Sequence, residues 1–249
     1  MHPILVDIGP FTVYTYGFFV AAAFLVGMAV SMREAKRLGL PHKIVPDLGF
    51  YLILSAVVGA RLLYVLLAPK YFLAHPLEIV QFWKGGLVFL GGALAAAGTT
   101  IWFLRRREQP IWSWADAIAP GLTLGQAVGR LGCLAAGCCF GKECTLPWAI
   151  TFTDPKSLAP LHQALHPTQI YHVLAGVAVY FLLLGTKRWQ PKPGMRFAIY
   201  IMGYAVLRFV IELFRGDFRG HLGPLSTTQW IAAALVILGI WLYRQRRNS

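Results

Sequence analysis

Seven stretches of the chain, at about 14–31, 48–68, 86–104, 115–134, 168–185, 197–214 and 228–243, are apolar over a length close to the ~20 residues that a helix needs to cross a bilayer. Inside hydrocarbon every backbone N–H and C=O has to be paired within the spanning structure, which leaves helices or a closed barrel. Runs of this length, about twice that of a barrel strand, select helices. Composition agrees: 57% of the residues are apolar and 13% charged, whereas a soluble domain carries about a quarter charged. The chain therefore reads as all-α, a polytopic membrane protein with seven transmembrane helices and residues 1–249 in one integral-membrane domain. No Gly/Ser-rich linker, low-complexity tract or internal repeat divides it. The segment ahead of the first run holds Asp7 and neither Lys nor Arg, so it does not read as a cleavable signal peptide.

The net charge of +13 would suggest nucleic acid in a soluble protein, but here the basic residues sit in short clusters between apolar runs, which excludes a nucleic-acid partner. Arg33, Lys36, Arg37 and Lys43, then Arg105–Arg107, then Lys187, Arg188, Lys192 and Arg196, then Arg244, Arg246 and Arg247 fall on alternate loops and the tail. The other side holds Lys70, Lys84, Lys142, Lys156, Arg215 and Arg219. Because cytoplasmic loops carry the Lys/Arg excess, the N-terminus is expected outside and the C-terminus inside. The outer loops are then 69–85, 135–167 and 215–227. The middle one is long enough to be either functional or disordered, and its Cys, Trp and Leu content argues for order.

Five charged residues fall within the apolar runs or at their edges: Arg61, Asp116, Arg130, Arg208 and Glu212. A charge at the centre of a span costs about 2.5–3.5 kcal/mol on insertion scales, so such residues face a polar cavity or pair with one another. Arg208 and Glu212 are four apart, on one helix face. Salt bridges holding the bundle are one reading. The other starts from the excess of three arginines over two acids, which leaves a guanidinium seeking an external anion, and planar guanidinium forks suit phosphate. In a membrane the abundant phosphate is the lipid headgroup. Gly121, Gly125, Gly129, Gly132 and Gly137 give the fourth helix a face for close approach, of another helix or of a ligand.

Several segments together carry a family resemblance. They are Ala115–Pro120, Gly125, Gly129-Arg130-Leu131-Gly132 and His166-Pro167-Thr168-Gln169-Ile170-Tyr171. With them go Ile8-Gly9-Pro10, Tyr16-Gly17, Gly59-Ala60-Arg61, Tyr64-Val65, Trp83–Gly86, Gly91-Gly92, and Tyr204 through Arg208 and Glu212 to Arg215. Over most of its length the chain resembles the bacterial prolipoprotein diacylglyceryl transferases. The resemblance implies a seven-helix enzyme of the bacterial inner membrane with its site toward the outer leaflet. Such an enzyme moves diacylglyceryl from phosphatidylglycerol to the lipobox cysteine thiol of a preprolipoprotein and releases glycerol phosphate. Its partners are these two substrates and membrane lipids, with no cofactor. In that chemistry a thiolate attacks the glyceryl carbon while the leaving phosphate gathers charge that fixed cations stabilise. The residues expected to serve it are Arg130 and Arg208 on the phosphate and Glu212 orienting Arg208 or accepting a proton. Tyr16, Arg61, Tyr64, Gly129, Gly132, Gln169, Tyr171 and Tyr204 are expected to contact substrate.

The chain also departs from the family. Leu90 stands in Phe89-Leu90-Gly91-Gly92 where the family has the His often assigned as general base, and leucine takes no proton. Cys133-Leu134-Ala135-Ala136-Gly137-Cys138 replaces a segment with two Asn and a Glu. His166 is the expected substitute base, ahead of His162 and His172, since imidazole titrates near neutral pH. Its other reading is a loop residue before Pro167 that caps the next helix. Cys133, Cys138, Cys139 and Cys144 fall at the outer end of the fourth helix, where disulfides form. A disulfide clamp is the expectation over a reactive Cys138 thiol. Their spacing fits no familiar zinc pattern with His162 or His166, so no metal is expected. Against the transferase stand a paralogue acting on another phospholipid or acceptor and a non-catalytic lipid-binding protein.

Overall fold

The computed structural model describes residues 2–9, 11–217 and 220–248. Pro10 and Arg219, which entered the family match and the charge pattern above, lie outside the described residues, as does the side chain of Lys84. An antiparallel ribbon, β1 (Ile4–Ile8) and β2 (Phe11–Tyr14), leads into α1 (Thr15–Arg37). Then follow α2 (Val45–Leu67), the short α3 (Pro69–Ala74), α4 (Phe89–Arg106), α5 (Ile111–Ala136), α6 (Thr168–Gly185), α7 (Met195–Glu212) and α8 (Thr227–Asn248). Between α5 and α6, β3 (Ile150–Thr151) pairs with β4 (Ala164–Leu165). Each of the seven apolar runs lies on one of the long helices.

Among the described residues four helical segments are long and apolar enough to cross a membrane: Thr15–Arg37, His42–Leu67, Thr168–Trp189 and Thr227–Asn248. Large apolar side chains stand exposed along them, among them Leu25, Leu66, Phe181 and Ile237. In water that surface would be costly, whereas hydrocarbon accepts it. Helices α5 and α7 carry the charged residues Asp116, Arg130, Arg196, Arg208 and Glu212.

The chain divides into two compact units, residues 39–114 and residues 1–38 with 115–249. In the smaller unit α2 packs on α4 where Gly59 and Gly91 let the two backbones touch. Its loop 76–86 is gathered by Arg61, which donates to the carbonyls of Glu78 (2.5 Å), Ile79 (2.9 Å), Gly85 (2.7 Å) and Gly86 (3.1 Å). The Arg61 guanidinium is therefore committed to backbone carbonyls, where the sequence placed it on substrate. This is how a buried arginine within an apolar run is satisfied without a carboxylate.

In the larger unit the glycine face of α5 meets α1. A side chain at Gly121 would run into the Gly27 carbonyl and Ser31 Oγ, and one at Gly132 would meet Phe19 Cβ at 3.0 Å. Gly129 lies on the same face, 3.8 Å from Ala23 Cβ by the same measure. Of these two glycines, both expected on substrate, Gly132 is in close contact with Phe19 of α1, while Gly129 is in ordinary contact with Ala23. Gly121→Val should lower stability by about 1–3 kcal/mol through overpacking, checked by thermal unfolding in detergent; an unchanged midpoint would show that α1 and α5 do not meet there.

Two polar devices pin the opposite end of this unit. Asp116 accepts from the Gly194 and Phe197 amides, both at 2.8 Å, and so caps α7 from a neighbouring helix. The first turn of α7 has no side-chain cap of its own, and these otherwise orphaned N–H groups carry partial positive charge that a carboxylate satisfies. Glu34 joins Lys187 (2.6 Å), Arg196 (3.0 Å) and Arg37 (3.0 Å). The long loop 137–167 is ordered around its own apolar cluster of Phe152, Ala159 and Leu165, with Leu134, Phe140 and Ile150 packed on it.

Candidate functional site

Three helices of the larger unit surround one small cavity of about 10 Å³, room for about one water molecule. Helix α5 brings Gln126 and Arg130, α6 brings His172 and Gly176, and α7 brings Tyr204 and Arg208. Each pair is spaced by four, which places both members on one helix face. Arg208 Nη1 donates to Glu212 Oε2 at 2.5 Å, and Ser226 Oγ donates to Glu212 Oε1 at 3.2 Å. Arg208 and Glu212 are both buried. Arg130 Nη1 reaches Cys139 Sγ at 3.5 Å. Among the described residues neither arginine makes a further side-chain hydrogen bond, so each guanidinium keeps donors for a ligand.

His172 Nε2 and Gln126 Oε1 are buried without a partner in the same place. His172, ranked behind His166 by the sequence, is thus the imidazole that lines the arginine cavity. The signal was available in the helical spacing of Gln169, His172, Gly176, Val179 and Leu183, which form the buried face of α6. His166 is elsewhere: its Nδ1 lies 3.1 Å from Tyr171 Oη, which also accepts from Trp148 Nε1 at 2.9 Å. Its ring packs beside Phe214. His166 and Tyr171, expected as base and substrate contact, pair with each other and do not line this small cavity.

At the end of α5 the chain turns back on itself. Gly137 (φ +76°) and Cys139 (φ +63°) both take the left-handed conformation, which is uncommon for a non-glycine residue such as Cys139. This folds Cys138 and Cys139 toward Cys133, and the three Sγ atoms lie within 4.8 Å of one another. None of the four cysteines is in a disulfide, so the expected clamp is not formed. The turn is held instead by α6: Thr168 Oγ1 donates to the Cys139 carbonyl (2.6 Å) and Gln169 Nε2 to the Cys138 carbonyl (2.9 Å). Gln169, expected on substrate, is fully buried in this positioning role. Hydrogen bonds from the Cys133 and Cys138 thiols, with Arg215 beside them, hold the Cys139 thiol well below the usual thiol range. Arg215 itself makes a two-pronged pair with Asp217 at 2.7 and 2.6 Å.

On the other side of the trio Cys138 lines a larger, open cavity of about 710 Å³, together with Ile4, Thr12, Tyr16, Lys156 and Leu158. Of the expected substrate contacts, Tyr204 lies in the small cavity and Tyr16 in the open one. Tyr64 stacks against Arg61 within the smaller unit. Cys144 is outside the thiol trio, and Leu90 stands half exposed at the start of α4.

Apolar helices long enough to cross a bilayer, with two arginines brought to one small cavity, are the features of a helical membrane protein. Comparison with known proteins makes this specific: the chain belongs to the prolipoprotein diacylglyceryl transferase family, whose model matches residues 3–244. It is 31% identical over 243 residues to the phosphatidylglycerol–prolipoprotein diacylglyceryl transferase of Clostridium tetani, covering 98% of this chain and 97% of that protein. The protein of the same name from Synechococcus elongatus is 34% identical over 258 residues, covering 99% and 89%. That from Bordetella avium is 35% identical over 257 residues, covering 99% and 96%.

Proposed function

We propose that the protein transfers diacylglyceryl from phosphatidylglycerol to the lipobox cysteine thiol of preprolipoproteins, forming a thioether and releasing glycerol phosphate. Arg130 and Arg208, with donors to spare on one cavity, carry this reading in a chain that matches the family almost end to end. The reaction converts a phosphodiester monoanion into a leaving phosphate that gathers charge as the C–O bond breaks. Two fixed guanidinium groups stabilise that charge more than they stabilise the ground state, which is what lowers the barrier. Glu212, tied to Ser226, orients Arg208. Gln126, His172 and Tyr204 add polar groups for the headgroup oxygens.

The setting that goes with this chemistry is one domain of seven spans in the bacterial inner membrane, N-terminus outside and C-terminus cytoplasmic. Support for the orientation comes from Arg37, Lys187 and Arg196, basic residues of the expected cytoplasmic side, which converge on Glu34. The thiol trio lies beyond Arg130 at the other end of α5, where an acceptor cysteine arriving from the outer leaflet would enter.

The test is transfer of labelled diacylglycerol from phosphatidylglycerol to a lipobox peptide in membranes. The wild-type protein should form the thioether, and a peptide with serine in place of the cysteine should stay unlabelled. Folded protein that binds phosphatidylglycerol and never labels any cysteine peptide would overturn the reading in favour of a lipid-binding protein.

A further inference from the structure

We propose that Cys133, Cys138 and Cys139 form a zinc site whose open fourth position takes the acceptor cysteine as its thiolate. The identity of that fourth ligand rests on the transferase reading above. The three-sulfur cluster itself does not.

Geometry comes first. Zinc–thiolate bonds of about 2.3 Å at tetrahedral angles put sulfurs about 3.8 Å apart. Three Sγ atoms within 4.8 Å of one another therefore need to draw in by about 1 Å at most. The turn that gathers them is built in advance, by the left-handed backbone at Gly137 and Cys139 and by buried Thr168 and Gln169 on the two cysteine carbonyls. Supporting hydrogen bonds of this kind orient the ligands of metal centres. Three is also an odd number: a disulfide between any two would leave the third unpaired, whereas one soft cation satisfies all three.

Charge selects the ion. Three thiolates with a divalent cation sum to one negative charge, and Arg130 at 3.5 Å from Cys139 supplies one positive charge. Arg215, also beside Cys139, shares its charge with Asp217. A thiolate-preferring divalent ion without redox chemistry is zinc, and three protein ligands with an open place is the arrangement of catalytic zinc.

Position then gives the role. Cys138 lines the open 710 Å³ cavity and Arg130 lines the small one, so the trio adjoins both the approach for a peptide and the phosphate-binding guanidinium. An incoming cysteine thiol that binds the metal loses its proton to water, since a coordinated thiol is deprotonated outright. Its sulfur lone pair forms the C–S bond to the glyceryl carbon. The C–O bond breaks with its electron pair moving onto the phosphate oxygen, and glycerol phosphate leaves, regaining a proton from water. The neutral thioether is a weaker ligand than the thiolate and departs. Thiol activation by the metal would fill the place of the base that Leu90 cannot be.

The experiment uses the full-length protein, reduced, in detergent, with zinc chloride or cobalt chloride as the probe. One equivalent of zinc per chain should survive dialysis, and cobalt should give thiolate charge-transfer bands together with tetrahedral d–d bands. X-ray absorption on the wild-type protein should count three sulfurs around the metal, rising to four with a lipobox peptide and not with its serine analogue. Cys139→Ser should lose the metal and Cys144→Ser should keep it. Failure to retain metal, fewer than three sulfurs, or uptake by Cys139→Ser equal to wild type would overturn the site. Transfer that persists undiminished after chelation and is abolished in His172→Gln would overturn the role, giving the proton to the imidazole. A four-sulfur complex with peptide but no transfer from phosphatidylglycerol would uphold the site and retire the transferase reading.

Discussion

Arg208→Ala should lower diacylglyceryl transfer by about 10²–10³-fold, the loss typical when one fixed donor to a developing oxyanion is removed. Arg208 is 7% exposed, lines the cavity with Arg130, and gives one nitrogen to Glu212. Its remaining donors are what a leaving phosphate would use. Arg208→Lys keeps the charge but loses the fork, and a point charge on a flexible stem does not reproduce a two-pronged contact. The lysine variant should therefore recover only a small part of the rate. Because the arginine acts on charge that appears as the bond breaks, kcat should fall more than KM rises. A variant that binds phosphatidylglycerol and transfers at the wild-type rate would remove Arg208 from the mechanism.

Glu34→Ala should lower stability by about 3–5 kcal/mol, more than Gly121→Val, because it leaves a buried cation without its partner. Arg196 is 2% exposed, and Glu34 is the carboxylate that it meets. Lys187 and Arg37 are more exposed and can turn to water, so the loss concentrates on Arg196. The readout is the thermal midpoint of the detergent-solubilised protein. Transfer per folded molecule, measured well below that midpoint, should stay near wild type, since Glu34 does not line the arginine cavity. An unchanged midpoint would mean that Arg196 finds another acceptor, such as the Leu183 carbonyl, which already lies 3.4 Å away.

The contrast between these two acids shows which features of the chain are local. Arg208 and Glu212 are four apart on one helix, so their pairing is legible from spacing alone. Glu34 and Arg196 are far apart along the chain, and nothing near either residue announces the other. The same division separates the histidines. His166 stands in a motif and attracts attention, but its neighbours are Tyr171 and Phe214. His172 looks like one polar residue on an apolar helix until α5 and α7 bring Arg130, Tyr204 and Arg208 to it. Arg61 shows the converse: a buried arginine suggests an anion, yet backbone carbonyls of the loop 76–86 satisfy it. The cysteines required a conformation that spacing does not reveal, since the trio closes only with Cys139 in the left-handed region.

Amino-acid order was enough to establish the long helices, the membrane setting and the arginines worth watching. Each depends on periodicity or on the cost of charge in hydrocarbon, and both are properties of single segments. Tertiary packing decided which of those charges serve structure and which face a cavity. It set Asp116 on the α7 amides, enclosed Glu34 among three cations, brought His172 to the arginines and gathered three sulfurs beside Arg130. The physical reason is that a polar group's role is set by whichever partner lies within about 3 Å of it in the folded chain, and most of those partners come from other helices.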